Sequence, residues 1–389
     1  MSLLSSFILT TGLWRAVLLT PGGELPFQMK LAAVNNIYTI TVINGDEQML
    51  LDTVIIKGDS LIVTFPVYES ELRLKITSNA SMEGDFINLT RKTNASIRLL
   101  AKAGNEPRFD VNSEIPEVNI SGRWSVKFSP ETADSSAAIG IFNQNGTHVT
   151  GTFLTTSGDY RYLEGVLDKD SLKLSSFDGV FVYLFKARVV SEKLEGIFYT
   201  GTHRQVPFTG FRNEKAAIPH PESLTTYKTG SDGFNFYLPD TDSNMVSLND
   251  ERFKNKVVII QIMGSWCPNC LDESRFLSPW YDKNSSRGVE IIGLSFEKTD
   301  DFFRAAANVK RFRKNIGINY PLLIAANRDK IKTILPGLEN FAGYPTTIYL
   351  DKKRNIRKIH AGFSGAATGA EYENFKEEFF LFMDKLLAE

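Results

Sequence analysis

The apolar run Val257-Val258-Ile259-Ile260-Gln261-Ile262-Met263 leads through Gly264-Ser265 into Trp266-Cys267-Pro268-Asn269-Cys270, which holds the only two cysteines among 389 residues. Rich in β-branched residues and too short for a typical helix, the run reads as a buried strand. The residues after Pro268 read as the start of a helix. The junction therefore places Cys267 at a helix N-terminus, where unpaired N–H groups carry partial positive charge that favours a thiolate.

Two cysteines at this spacing admit three chemistries. A zinc site lacks ligands, because His148, His203, His220 and His360 are scattered and no second cysteine pair exists. A structural disulfide closing so small a loop removes little unfolded-state entropy. A redox dithiol is what the strand and helix context supports.

Other segments fit that reading. Phe234-Asn235-Phe236-Tyr237-Leu238-Pro239-Asp240 precedes the apolar strand, Glu273 follows Cys270 by three residues, and Gly343-Tyr344-Pro345-Thr346-Thr347 leads into Ile348-Tyr349-Leu350. Together these residues, from about Phe234 to Glu389, resemble the TlpA/ResA-like branch of the thioredoxin fold. The resemblance implies an α/β thioredoxin-like domain over 231–389, with Cys267 and Cys270 as the catalytic pair and Glu273 as an acid facing them. No metal and no cofactor beyond the redox-active disulfide is expected. It also implies that Pro345 is cis and packs against the sulfurs. Trp266, Pro268, Asn269, Tyr344 and Pro345 are the candidate substrate-binding residues, since an exposed Tyr344 backbone lets an extended peptide add by main-chain hydrogen bonds.

Two positions depart from the pattern. Gln261 stands where thioredoxins keep a buried aspartate, and a neutral amide cannot serve as that base. Glu273, returned to the cysteine face by helical spacing, is then the nearest local carboxylate. Its charge is expected to raise the cysteine pKa values, and partial burial to raise its own. The second departure is Arg275, where related helices often carry proline; Pro279 is expected to kink the helix instead. Thiol peroxidases share this fold, but they resemble one another in a threonine or serine three residues before the nucleophile. Here that position is Gly264, and a tight cysteine pair suits exchange with another disulfide.

The rest of this region alternates strands and helices. Val289–Phe296 reads as a second central strand. Thr299-Asp300-Asp301 caps a helix with Phe302, Ala306, Val309, Phe312 and Ile316 on its apolar face. Residues 320–326 read as a strand, followed by a short helix ended by Pro336. Glu371 to Leu387 reads as a covering helix with Phe375, Phe379, Met383, Leu386 and Leu387 on one face.

Residues 1–230 contain no cysteine and read as short alternating strands broken at turns such as Asn44-Gly45-Asp46 and Asn145-Gly146. This half is also duplicated. Gly12-Leu13-Trp14 matches Gly122-Arg123-Trp124 at an offset of 110, Asp59-Ser60-Leu61 matches Asp170-Ser171-Leu172 at 111, and Glu83-Gly84 matches Glu195-Gly196 at 112. The expected fold is multidomain: two tandem all-β repeats, barrel- or sandwich-like with about eight strands each, then the redox domain. The boundaries are 8–104 for the first repeat, 105–121 for a linker, 122–212 for the second repeat, 213–230 for a second linker, and 231–389. Tyr160-Arg161-Tyr162-Leu163-Glu164 reads as an alternating strand.

Forty-four basic residues against forty-five acidic ones give a net charge of −1, which offers no field to attract nucleic acid. The cluster Lys310-Arg311-Arg313-Lys314 reads as a solvated helix face. Leu3 to Leu19 is interrupted by Thr10-Thr11-Gly12 and Arg15, so it is no membrane span. No charged leader with a cleavage site precedes the first repeat, so the chain is expected to begin after a removed signal.

The expected function is an extracytoplasmic thiol-disulfide oxidoreductase that reduces protein disulfides through a mixed disulfide. Its expected partners are a protein disulfide and an upstream electron donor protein, with any membrane attachment through a segment outside this chain. By resemblance the location is the bacterial cell envelope, periplasmic or lipid-anchored. The alternative is an envelope ligand- or partner-binding protein whose β repeats carry the main function.

Overall fold

The structure is a computed structural model that describes residues 8–35, 37–93, 95–112, 116, 118–228 and 234–389. Residues 1–7 and the expected boundary at 230/231 lie outside the described residues. The chain forms two compact units. One is 1–153 with 160–217; the other is 218–389 together with Leu154–Asp159.

The first unit holds both β repeats. Each repeat is an antiparallel sheet of nine strands whose first strand pairs with both the second and the last. Trp14 lies opposite Met29 and Ala103, and Trp124 lies opposite Gly140 and Arg212. In the second repeat Ser136–Asn145 also pairs with His148–Thr155, which closes the sheet into an up-and-down barrel. In the first repeat Glu47–Leu51 and Thr53–Lys57 are the two end strands.

The duplicated residues do the same work in both copies. Trp14 Nε1 donates to Thr10 O and Trp124 Nε1 to Ile120 O, each at 2.8 Å. Ile76 N donates to Asp59 O, as Val189 N does to Asp170 O. Gly84 and Gly196 press against a neighbouring strand, where an added Cβ would lie 2.0 Å from Arg73 O and 2.4 Å from Lys186 O. A side chain at either position would force the strands apart.

Aromatic side chains fill the second barrel: Phe128, Phe153, Tyr160, Phe185, Phe198 and Phe208 pack on one another, with Phe185 and Phe198 stacked at 4.3 Å. The tyrosine of the expected 160–164 strand is thus part of the core. Residues 160–162 are not a strand: Arg161 has φ +55°, its guanidinium is buried against Glu47 and Asp178, and the strand starts at Leu163. The two repeats share a core, because Phe177 packs on Phe27, Phe65 and Phe86. Within the expected 105–121 linker, Arg108 is an anchor. Arg108 is buried and donates to Pro26 O, Ile43 O, Ser175 Oγ and Glu164.

The second unit is built on a five-stranded sheet in the order Leu322–Asn327, Val289–Glu297, Val257–Met263, Thr346–Leu350, Ile356–Ala361. The first three strands are parallel, Thr346–Leu350 runs antiparallel to them, and Ile356–Ala361 is antiparallel to Thr346–Leu350. Helix α1 spans Pro268–Asn284 and continues through Pro279, α2 spans Phe302–Ile316, α3 Ile331–Ile334 and α4 Ala370–Ala388. Val257–Met263 is buried at every position, as expected of a central strand covered on both faces. Asp301 caps α2 by accepting from Phe303 N and Arg304 N. The edge strand Ile356–Ala361 is an addition to the sequence reading. Of 234–240 only Tyr237–Pro239 is a strand, paired with Met245–Ser247. Within the expected 213–230 linker, Thr226–Tyr227 pairs with Leu338–Glu339.

Candidate active site

The end of Val257–Met263 hands the chain to α1 through a loop held at both ends. Glu297, at the end of the neighbouring strand, accepts from Ser265 N at 2.8 Å, Ser265 Oγ at 2.7 Å and Ser295 Oγ at 2.7 Å. Trp266 Nε1 donates to Phe296 O at 2.9 Å. Cys267 is the extended N-cap residue of α1, with Pro268 at the first helical position, where its fixed φ suits the helix. Its Sγ accepts the Cys270 N–H at 3.3 Å. One turn of helix therefore sets a backbone donor on one sulfur and carries the other inward.

Both cysteines are thiols. Cys270 is fully buried, while Cys267 keeps 5% of its surface. Burial first, then the hydrogen bond and charge of Cys267, push the Cys270 thiol well above its ordinary range; the charge of Glu273 adds a smaller push the same way.

Glu273 reaches back from α1 onto the sheet. Gln261 and Thr347 are direct cross-strand neighbours, and both donate to its carboxylate: Gln261 Nε2 at 2.7 Å and Thr347 Oγ1 at 2.6 Å. Ser274 Oγ donates to Gln261 Oε1 at 3.1 Å and orients the amide. Burial drives the Glu273 pKa up to about 7, against the two hydrogen bonds that lower it. The sequence reading expected partial burial; Glu273 is 2% exposed. Gln261, at the position of the missing aspartate, acts as the donor that fixes this carboxylate.

The Tyr344–Pro345 peptide is cis, and Tyr344 O lies 3.7 Å from Cys267 Sγ. The Tyr344 ring meets Trp266 edge-on at 5.5 Å, and its hydroxyl donates to Arg328 O. Lys298 and Arg328 stand over the Trp266 ring at 4.7 and 5.1 Å. Pro268 and Asn269 are buried, and Asn269 Nδ2 donates to Ser157 O at 3.3 Å. All eight residues singled out in the sequence thus lie in the loop, the first turns of α1 or the cis-proline segment. Gly264 has no room for a side chain, because a Cβ there would lie 2.3 Å from Trp266 Nε1 and 2.8 Å from Phe296 O.

Sequence reasoning passed over Thr347, Glu297 and Ser157. Thr347 carried a signal in its place two residues after Pro345. Glu297 did too, as an acid closing an apolar strand next to the one that leads to the cysteines. Ser157 carried none, being 112 residues from its partner.

Residues 229–359 match the AhpC/TSA family. The thiol-disulfide oxidoreductase ResA of Bacillus subtilis is 26% identical over 165 residues, which are 42% of this chain and 83% of that protein. ResA of Bacillus thuringiensis is 31% identical over 129 residues, 33% of this chain and 66% of that protein. The C-terminal region is a ResA-like thioredoxin-fold domain. Its chemistry is that of a thiol-disulfide oxidoreductase, and the similarity lies in the redox domain, with the β repeats outside it. Among solved structures, the thioredoxin domain of a thiol-disulfide oxidoreductase from Bacteroides vulgatus is 22% identical with a TM-score of 0.30, covering 39% of this chain and 98% of that one.

Proposed function

We propose that this chain is an extracytoplasmic oxidoreductase that reduces protein disulfides. The observation that carries the reading is the division of labour in the first turns of α1. Cys267 Sγ receives a backbone N–H at the edge of the site, while Cys270 is enclosed with its proton held on, near a carboxyl that titrates at about 7. The Cys267 thiolate attacks one sulfur of a substrate disulfide; a sulfur–sulfur bond forms, the substrate bond breaks, and one substrate thiolate leaves. Cys270 then gives up its proton, with Glu273 as the nearby acceptor, and attacks Cys267 Sγ. The second substrate thiol departs and the Cys267–Cys270 disulfide remains. Two electrons have passed to the substrate, and a second protein dithiol must return them.

The redox-active pair is the only cofactor in this reading, and the substrate lies along Trp266, Tyr344 and Pro345 with Pro268 and Asn269 at its border. An oxidising compartment suits a redox domain fused to cysteine-free β modules, which supports a bacterial envelope location in this reading. No helix among the described residues is long and apolar enough to cross a membrane. The ligand-binding alternative loses its simplest form, because the second barrel is packed with aromatic rings.

The test is stoichiometric. Pre-reduced full-length chain mixed with a peptide disulfide should lose both thiols and release two thiols from the peptide. A chain that keeps both thiols under conditions where dithiothreitol reduces the peptide contradicts the function.

A further inference from the structure

The second unit is not one stretch of chain. It includes Leu154–Asp159, a turn and its flanks drawn from far upstream, and this segment lies against the dithiol helix. Ser157 O accepts from Asn269 Nδ2, and Asp159, 2% exposed, accepts the Gly365 N–H at 2.6 Å through Oδ2. Gly158 has φ +130°, and a Cβ there would lie 2.1 Å from Asn269 Nδ2 and 2.8 Å from Phe363 O. Across the turn, a Cβ on Gly362 would lie 2.8 Å from Thr156 O, and one on Gly343 would lie 3.5 Å from Ser157 Cβ. The segment thus touches three parts of the site at once: the first turn of α1, the loop 362–365 and the residue before Tyr344.

We propose that Thr156–Asp159 is a steric wall of the substrate groove and a determinant of which disulfides reach Cys267. It closes the Asn269 side, where Pro268, Asn269 and Gly158 are buried, and leaves the Trp266 and Tyr344 side partly exposed. Substrates are then disulfides carried on an extended, narrow segment that enters from Trp266 and runs along the backbone of Tyr344. A disulfide on a broad folded surface meets the turn. This rests on the disulfide-reductase reading for the nature of the substrate, though the wall itself is a statement about access to one thiol.

The experiment measures access directly. In full-length Cys270→Ser, where Cys267 is the only thiol, alkylation by iodoacetamide and by a maleimide carrying a large polyethylene glycol is timed, each rate normalised to that of N-acetylcysteine. The bulky reagent should be the more strongly retarded. Adding Gly158→Ala, which pushes the turn off Asn269, or Asp159→Asn, which weakens its anchor on Gly365, should raise the bulky rate by about tenfold and change the small one far less, as expected when a hydrogen bond holding a local closure is weakened. If Gly158→Ala does not fold, Asp159→Asn decides. Equal normalised rates for both reagents, or no gain in the folded variants, overturn the wall. A chain that shows the size selection yet exchanges no disulfide keeps the wall and loses the proposed function.

Discussion

Glu273 is a carboxylate with two neutral donors, Gln261 and Thr347, and burial that outweighs both. Unfolded, it loses its proton near pH ~4.3; folded, it holds it to about 7. Between those values the native state binds a proton that the unfolded state has released, so stability falls as pH rises through that window. Glu273→Gln can still accept from Gln261 and donate to Thr347, but it cannot ionise. Its stability relative to wild type in urea unfolding should therefore grow from pH 4 to pH 8, toward roughly 3 kcal/mol. A difference that stays constant over that range contradicts the buried titration. The same variant should resolve mixed disulfides at least ~100-fold more slowly near neutral pH, the low end of what proton transfer contributes. At this scale the sequence disclosed the carboxylate through its spacing from Cys270. It hid the burial, because one of the residues that hold Glu273, Thr347, comes from a strand 74 residues away.

Among the elements, strands and helices of the redox domain were readable wherever apolar pattern and capping residues agreed, as at Val257–Met263 and at Asp301. The repeats were readable from Gly-x-Trp, because the indole needs a carbonyl four residues back and this fixes the first strand of each copy. Tyr160–Leu163 misled because alternation marks side-chain direction only in extended backbone, and Arg161 turns a corner there to bury its guanidinium. Arg108 escaped notice for a related reason: a lone arginine between Pro and Phe looks like linker, yet it joins backbone carbonyls of the first repeat to Ser175 and Glu164 of the second. Arg108→Met leaves Glu164, with 15% of its side chain exposed, to Gly45 N and His148. Removing one partner of such a buried pair should cost roughly 3 kcal/mol, with partial recovery in Arg108→Met/Glu164→Gln. Urea unfolding checks this, and a loss below ~0.5 kcal/mol, the level of an ordinary surface change, speaks against the clamp.

For the molecule as a whole, the two units divide the chain at Ala217 and again around 154–159. Thr225 is buried, Ala342 N donates to its hydroxyl, and Lys228 N donates to Gly337 O, so much of the expected second linker belongs to the redox unit. Limited proteolysis with subtilisin should cut first between Ala217 and His220, where exposed residues flank Pro219. First cleavage within 225–228 contradicts that division. Composition and turn signals showed that a boundary exists near Pro219 and Pro221; they could not show that six residues of the upstream half complete the redox unit. The central claim is the order of attack, and trapping tests it most directly. Full-length Cys270→Ser and Cys267→Ser are each incubated with a peptide disulfide, quenched in acid and weighed by mass spectrometry. Cys270→Ser should accumulate a mixed disulfide on Cys267 while Cys267→Ser stays unmodified. Equal trapping on both, or trapping on Cys270 alone, contradicts the account.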